Sequence, residues 1–107
     1  MTSMRQRLPN RRGSIVFNFV HEGIAYVATI SRFEDGRLAE IFLDAGKPGD
    51  ALDIMAKDMA TLASIALQHG VPVADIRAAL SQERDGTMRG PFGVLLAMAE
   101  DGGAAAA

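Results

Sequence analysis

The sequence has no cysteine among its 107 residues, and that absence removes several classes of chemistry at once. A thiyl-radical site, a redox dithiol, a thiolate-bound metal and a disulfide framework all need the missing side chain. Histidine is scarce as well: His21 and His69 have neither an i, i+4 partner nor the carboxylate spacing of a zinc site. Ser14, Ser31, Ser64 and Ser81 lack the glycine-flanked elbow of a hydrolase nucleophile. No apolar run approaches the roughly 20 residues that cross a bilayer, and no basic start leads into an apolar leader. These absences predict a cytoplasmic protein without membrane association or cofactor, one that binds and is not by itself an enzyme.

Apolar residues make up 49% of the chain and charged residues 22%, the balance of a globular protein, and the length suits one modest core. Net charge is −2 but unevenly spread: residues 1–12 carry Arg5, Arg7, Arg11 and Arg12 and no acid, so the rest of the chain is acidic. The expected organisation is a basic arm over 1–12, one domain over 13–100, and a disordered tail over 101–107, where two glycines precede four alanines. A basic arm can meet phosphates or fold back on its own acidic body.

Within the domain, Ile15, Phe17 and Phe19 alternate with Val16 and Asn18, which predicts a strand from Ser14 to Val20. After a turn at His21-Glu22-Gly23, a second strand runs from Ile24 to Ile30, with Ile24, Tyr26, Ala28 and Ile30 on one face. Glu34-Asp35-Gly36 signals a hairpin. The third strand, Leu38 to Asp44, divides into Leu38, Glu40, Phe42 and Ala39, Ile41, Leu43. Three strands would leave an apolar face open to water, so a helical layer must cover it.

That layer is supplied downstream. Residues 50–69 place Leu52, Met55, Ala56, Met59, Leu62, Ala63, Ala66 and Leu67 on one helical stripe, so Met55 and Met59 are expected in the core. Asp50 and Asp53 suit the helix start, and Gly70 followed by Pro72 stops it. A second helix follows Val73 and frays in Glu83-Arg84-Asp85-Gly86, and Phe92 to Ala99 forms a third. The predicted fold is α+β: a three-stranded antiparallel meander covered on one face by two or three C-terminal helices.

Two local patterns bear on binding. Gly86 to Gly93, with Arg89, is rich enough in glycine to cradle a phosphate but fits a connecting loop better, matching no phosphate-loop or dinucleotide pattern. Residues 62–82 approximate a helix-turn-helix, with Ala66 as the small residue, Gly70 in the turn, and Arg77, Gln82 and Arg84 as DNA-reading candidates beside the acids Asp75 and Glu83.

An ordered series of segments goes further. The chain has Leu8-Pro9 followed by Arg11 and Arg12; an acidic turn at Asp35-Gly36; Glu40-Ile41-Phe42 with Asp44; Lys47 and Gly49; and Leu67-Gln68 followed by Gly70-Val71-Pro72. In this order they resemble the TSCPD-type domain found toward the C-terminus of adenosylcobalamin-dependent ribonucleotide reductases and as free-standing small proteins. The resemblance covers roughly residues 5–80. The cysteine signature that names the domain is absent, as is the barrel that holds the reductase chemistry.

The resemblance therefore implies a non-catalytic accessory domain that binds a nucleotide, a nucleic acid or a partner protein such as a reductase, and that can form a homo-oligomer. Arg5, Arg7, Arg11, Arg12 and Lys47 are the phosphate- or partner-binding candidates, since basic side chains meet phosphate by charge-assisted hydrogen bonds. Arg11 or Arg12 can equally pair with Glu40 or Asp44. The alternatives from other classes are a small DNA-binding regulator built on residues 62–82 and a protein-binding inhibitor or antiactivator.

Overall fold

Alternation and turn chemistry build the sheet. The computed structural model describes residues 13–100; the basic arm with Arg5, Arg7, Arg11 and Arg12, and the tail, lie outside these. Strand β1 (Ile15–His21) turns through Glu22 and Gly23 into β2 (Ile24–Arg32), which turns again into β3 (Leu38–Ala45). Glu22 and Gly23 have φ of 51° and 80°, the paired positive values of a hairpin turn whose twist matches the flanking strands. The sheet is an antiparallel meander in the order β1-β2-β3, as predicted.

Register aligns the side chains in rows across the sheet, and burial shows which face is covered, a point that alternation alone leaves open. Phe17, Ala28 and Leu43 form one row across the sheet, and Ile15, Ile30 and Ile41 another. In a third, Phe19 stacks on Tyr26 at 5.1 Å between ring centroids, beside Ala45. A register shift at Ser31/Arg32 corrects one assignment. The alternating pattern puts Leu38 on the side of Glu40 and Phe42, but the irregularity lets Leu38 and Ala39 both be buried.

Helix α1 (Ala51–Gln68) starts at Asp50, whose carboxylate accepts from the Asp53 N–H at 2.9 Å. It ends at Gly70 (φ 93°), where the N–H groups of Gly70 and Val71 donate to Leu67 and Ala66, the paired bonds of a glycine-terminated helix. Short α2 (Val73–Ala79) buries none of its residues, whereas α3 (Pro91–Glu100) sinks Phe92, Leu95, Leu96 and Ala99 into the core under the sheet.

The seating of α1 differs from expectation. Ala56, Ala60, Ala63 and Leu67 face the core, together with the polar Asp53, Ser64 and Gln68. Met55 (61% exposed), Met59 and Leu62 (69% exposed) lie at the surface with Ile54. The reason lies in β3, an edge strand whose outer backbone groups need partners. Ser64 Oγ accepts from the Ile41 N–H at 2.9 Å, Gln68 Nε2 donates to the Ala39 carbonyl at 3.0 Å, and Asp53 Oδ1 accepts from the Ala45 N–H at 3.0 Å. Alanines let the helix come close enough for short polar side chains to reach the strand. Helix α1 is thus rotated about its axis toward the edge of the sheet, which turns the methionines outward.

Residues 81–89 also depart from the expected fray. Gln82 pairs with Met88, Glu83 N–H donates to Thr87 at 2.8 Å, and Arg89 N–H donates to Ser81 at 3.0 Å. Asp85 accepts from the Thr87 N–H, and Gly86 takes φ 90°, so the glycine-containing segment closes a tight hairpin before α3. Among the described residues no helix is long and apolar enough to cross a membrane.

Candidate functional site

The β2–β3 turn, the end of α1, the start of α2 and the end of α3 meet around a groove of about 430 Å³. Its walls are largely apolar, with Leu38, Leu67, Val71 and Val73 among them, and its polar groups are Arg32, Arg37 and Glu100. Two of the segments that carry the family resemblance converge here: the Asp35-Gly36 turn, through Gly36, and the Leu67-to-Pro72 stretch that ends α1.

Arg32 sits at the β2 irregularity and is half-buried. Its Nη1 donates to the Gly36 carbonyl at 3.1 Å and its Nη2 to the Ala99 carbonyl at 2.8 Å. The side chain thereby ties the β2–β3 turn to the end of α3. Both acceptors are neutral, and among the described residues Arg32 has no ion pair. A guanidinium has five N–H donors, so three remain beyond these two bonds.

The other charges around the groove are matched. Arg37 pairs with Asp35 at 2.7 Å and lies over the Phe33 ring at 4.7 Å. The Asp35 carboxylate also accepts from the Arg37 backbone N–H, so the turn is tied at both ends. Glu100 pairs with Arg77, which joins α3 to α2. The charge left over in the groove is the Arg32 guanidinium.

A second polar cluster lies at the opposite end of β3, about 25 Å away along eight strand residues. There Lys57 bridges Asp44 at 2.7 Å and Asp53 at 2.6 Å. The Lys57 hydrogen bond, with the N–H groups of Ala45 and Gly49, lowers the Asp53 pKa from 3.8 to about 2. Lys57 is raised in turn, by Asp44 first and Asp53 second. These groups satisfy one another and fasten the start of α1 to β3. Lys47 is exposed in the adjoining turn, so the structure places this candidate away from the groove.

The DNA-reading candidates are dispersed. Arg77 lies on α2 in its ion pair with Glu100. Gln82 lies beyond the helix and donates to the carbonyls of Arg77 and Ala78. Arg84 is exposed in the 81–89 hairpin. His21 contacts the Arg89 carbonyl at 3.1 Å, His69 caps α1, and among the described residues no group of His, Asp and Glu could hold a metal ion. Sequence reasoning missed Arg32 and Arg37. The available signal was Arg32-Phe33-Glu34-Asp35-Gly36-Arg37, basic residues on both sides of an acidic turn.

The TSCPD domain matches the chain over residues 5–101. The chain belongs to the TSCPD-domain family. Among known proteins, this TSCPD domain is 37% identical over 71 residues to a vitamin B12-dependent ribonucleotide reductase of Agrobacterium fabrum, covering 66% of the chain and 6% of the reductase. It is 36% identical over 69 residues to that of Bradyrhizobium diazoefficiens, covering 64% of the chain and 6% of the reductase. With the enzyme of Rhodopirellula baltica the identity is 32% over 80 residues, 75% of the chain and 8% of the reductase. The chain therefore spans less than a tenth of the length of these curated relatives. No solved structure matches this TSCPD domain significantly.

Proposed function

We propose that this TSCPD domain is a non-catalytic, cytoplasmic, ribonucleotide-reductase-related accessory domain that binds a nucleotide in the groove, with Arg32 receiving a phosphate. The observation that carries the reading is Arg32 itself, a half-buried cation held by two backbone carbonyls, with no carboxylate partner among the described residues and donors to spare beside a cavity. Small-ligand sites typically span about 300–1,000 Å³, which includes this groove, and a guanidinium suits phosphate better than a lysine does. The relatives are named for reducing ribonucleotides, which favours that ligand class.

The test is calorimetric titration of the full chain with inorganic phosphate and a panel of ribo- and deoxyribonucleotides, repeated with Arg32→Ala and with Arg5, Arg7, Arg11 and Arg12 all replaced by alanine. The reading expects nucleotide binding that weakens at least about tenfold in Arg32→Ala, a loss of roughly 1.4 kcal/mol or more. Binding that depends on the N-terminal arginines alone would move the site to the arm. Duplex DNA binding with a steep salt dependence that is lost on replacing Arg84 would replace the nucleotide reading with a DNA-binding one.

A further inference from the structure

The two edges of the sheet are treated differently. Outward backbone groups of Ala39, Ile41 and Ala45 on β3 are taken up by Gln68, Ser64 and Asp53 of α1. In the β1–β2 hairpin His21 pairs with Ile24, so alternate residues back to Ile15 bond to β2, and the N–H and C=O of Val16, Asn18 and Val20 point out along the free edge. Among the described residues nothing accepts from or donates to these groups. Val16 (58% exposed) and Val20 (70% exposed) flank Asn18 on the open face of the sheet. From Ile15 to Val20 the edge has no charge, no proline and no register shift, the devices that normally blunt such an edge.

The sequence of that edge reads the same in both directions: Val16-Phe17-Asn18-Phe19-Val20. We propose that a second copy of this chain pairs with it antiparallel along β1, about a two-fold axis through Asn18. Val16 of one copy then lies opposite Val20 of the other, Phe17 opposite Phe19, and Asn18 opposite Asn18. A two-fold interface must present the same patch from both sides, and a palindromic edge strand meets that condition residue by residue. The outward groups of Val16, Asn18 and Val20 exchange about six backbone hydrogen bonds. The phenylalanines extend the inner apolar rows across the seam and the valines extend the outer face. Although each copy carries a net charge of −2, no charged side chain stands on the seam from Ile15 to Val20.

Sedimentation of the full chain from about 1 to 200 µM tests the association, and single cysteines test the register, since the chain has no other thiol. In this register the Asn18 Cα atoms lie about 5.5 Å apart, within disulfide reach, whereas two Val16 positions are offset by about 13 Å. The pairing expects a dimer that Val20→Lys weakens at least tenfold without altering the far-ultraviolet spectrum. It also expects rapid oxidation of Asn18→Cys to a covalent dimer, crosslinking in a mixture of Val16→Cys with Val20→Cys, and slow reaction of Val16→Cys alone. A monomer at 200 µM, a dimer indifferent to Val20→Lys, or Asn18→Cys crosslinking no faster than Val16→Cys would overturn it.

Discussion

Replacing Ser64 by alanine tests the seating of α1 directly. The hydroxyl is buried, accepts from the Ile41 N–H at 2.9 Å, and lies within donating distance of the Ala60 carbonyl at 2.8 Å and the Ile41 carbonyl at 3.1 Å. Ile41 is itself buried in the core, so no water can take over. Removing the acceptor strands a buried N–H at a cost of about 1–3 kcal/mol. Alanine returns up to about 0.5 kcal/mol of helix propensity. The expected net loss is about 1–2 kcal/mol, a fall in melting temperature on the order of 5–15 °C for a domain of this size. Urea denaturation should show a lower midpoint with an unchanged slope. Thr61→Ala is the control, because that hydroxyl is exposed and bonds only back to Lys57 in its own helix; it should change stability by less than about 0.5 kcal/mol. If Ser64→Ala proved no more costly than Thr61→Ala, the claim that α1 caps the edge of β3 would fail.

Three further outcomes follow from the same packing. Because the folded pKa of Asp53, about 2, lies below its ordinary 3.8, its contribution is complete above about pH 4 and is lost as pH falls toward 2; melting curves across that window should flatten in Asp53→Asn. A Cβ at Gly93 in α3 would crowd the Met88 Cε and lie 2.9 Å from its Cβ and 3.1 Å from its Cγ, so Gly93→Ala should destabilise by about 1–3 kcal/mol despite better helix propensity, with Met88→Ala, which removes the Cγ and Cε but keeps the Cβ, relieving part of the loss in a double-mutant cycle. Leu62→Gln, at a surface position, should stay within about 0.5 kcal/mol of the parent, whereas Leu96→Ala, wholly buried, should cost about 2–5 kcal/mol by urea titration.

The strands and both hairpins were legible because a period of two leaves few alternatives and the turn residues mark the ends; the covered face was not, because both faces of β2 and β3 carry apolar residues. Helix α1 was legible in extent but not in rotation. A sequence shows which residues are apolar; it does not show that Asp53, Ser64 and Gln68 have backbone partners waiting on β3, so the apolar residues alone define a stripe offset from the one that is buried. Leu38 was misassigned because an irregularity at Ser31/Arg32 breaks the alternation without a glycine or proline to announce it. Arg32 and Arg37 were overlooked because a charged residue beside a turn is usually solvated. Only the return of α3 past that turn, bringing the Ala99 carbonyl to Arg32, makes the pair one border of a groove.

The helix laid along β3 also sets a limit on growth. A sheet with two bare edges can add copies at both and propagate into a fibre; one with a single bare edge cannot. Because Asp53, Ser64 and Gln68 already occupy outward groups of Ala39, Ile41 and Ala45, the described residues leave β1 as the barer edge, and the pairing proposed above would terminate after one step. Replacing those three polar side chains would do more than loosen a helix: it would uncover a second joining surface and turn a self-limiting contact into an open-ended one.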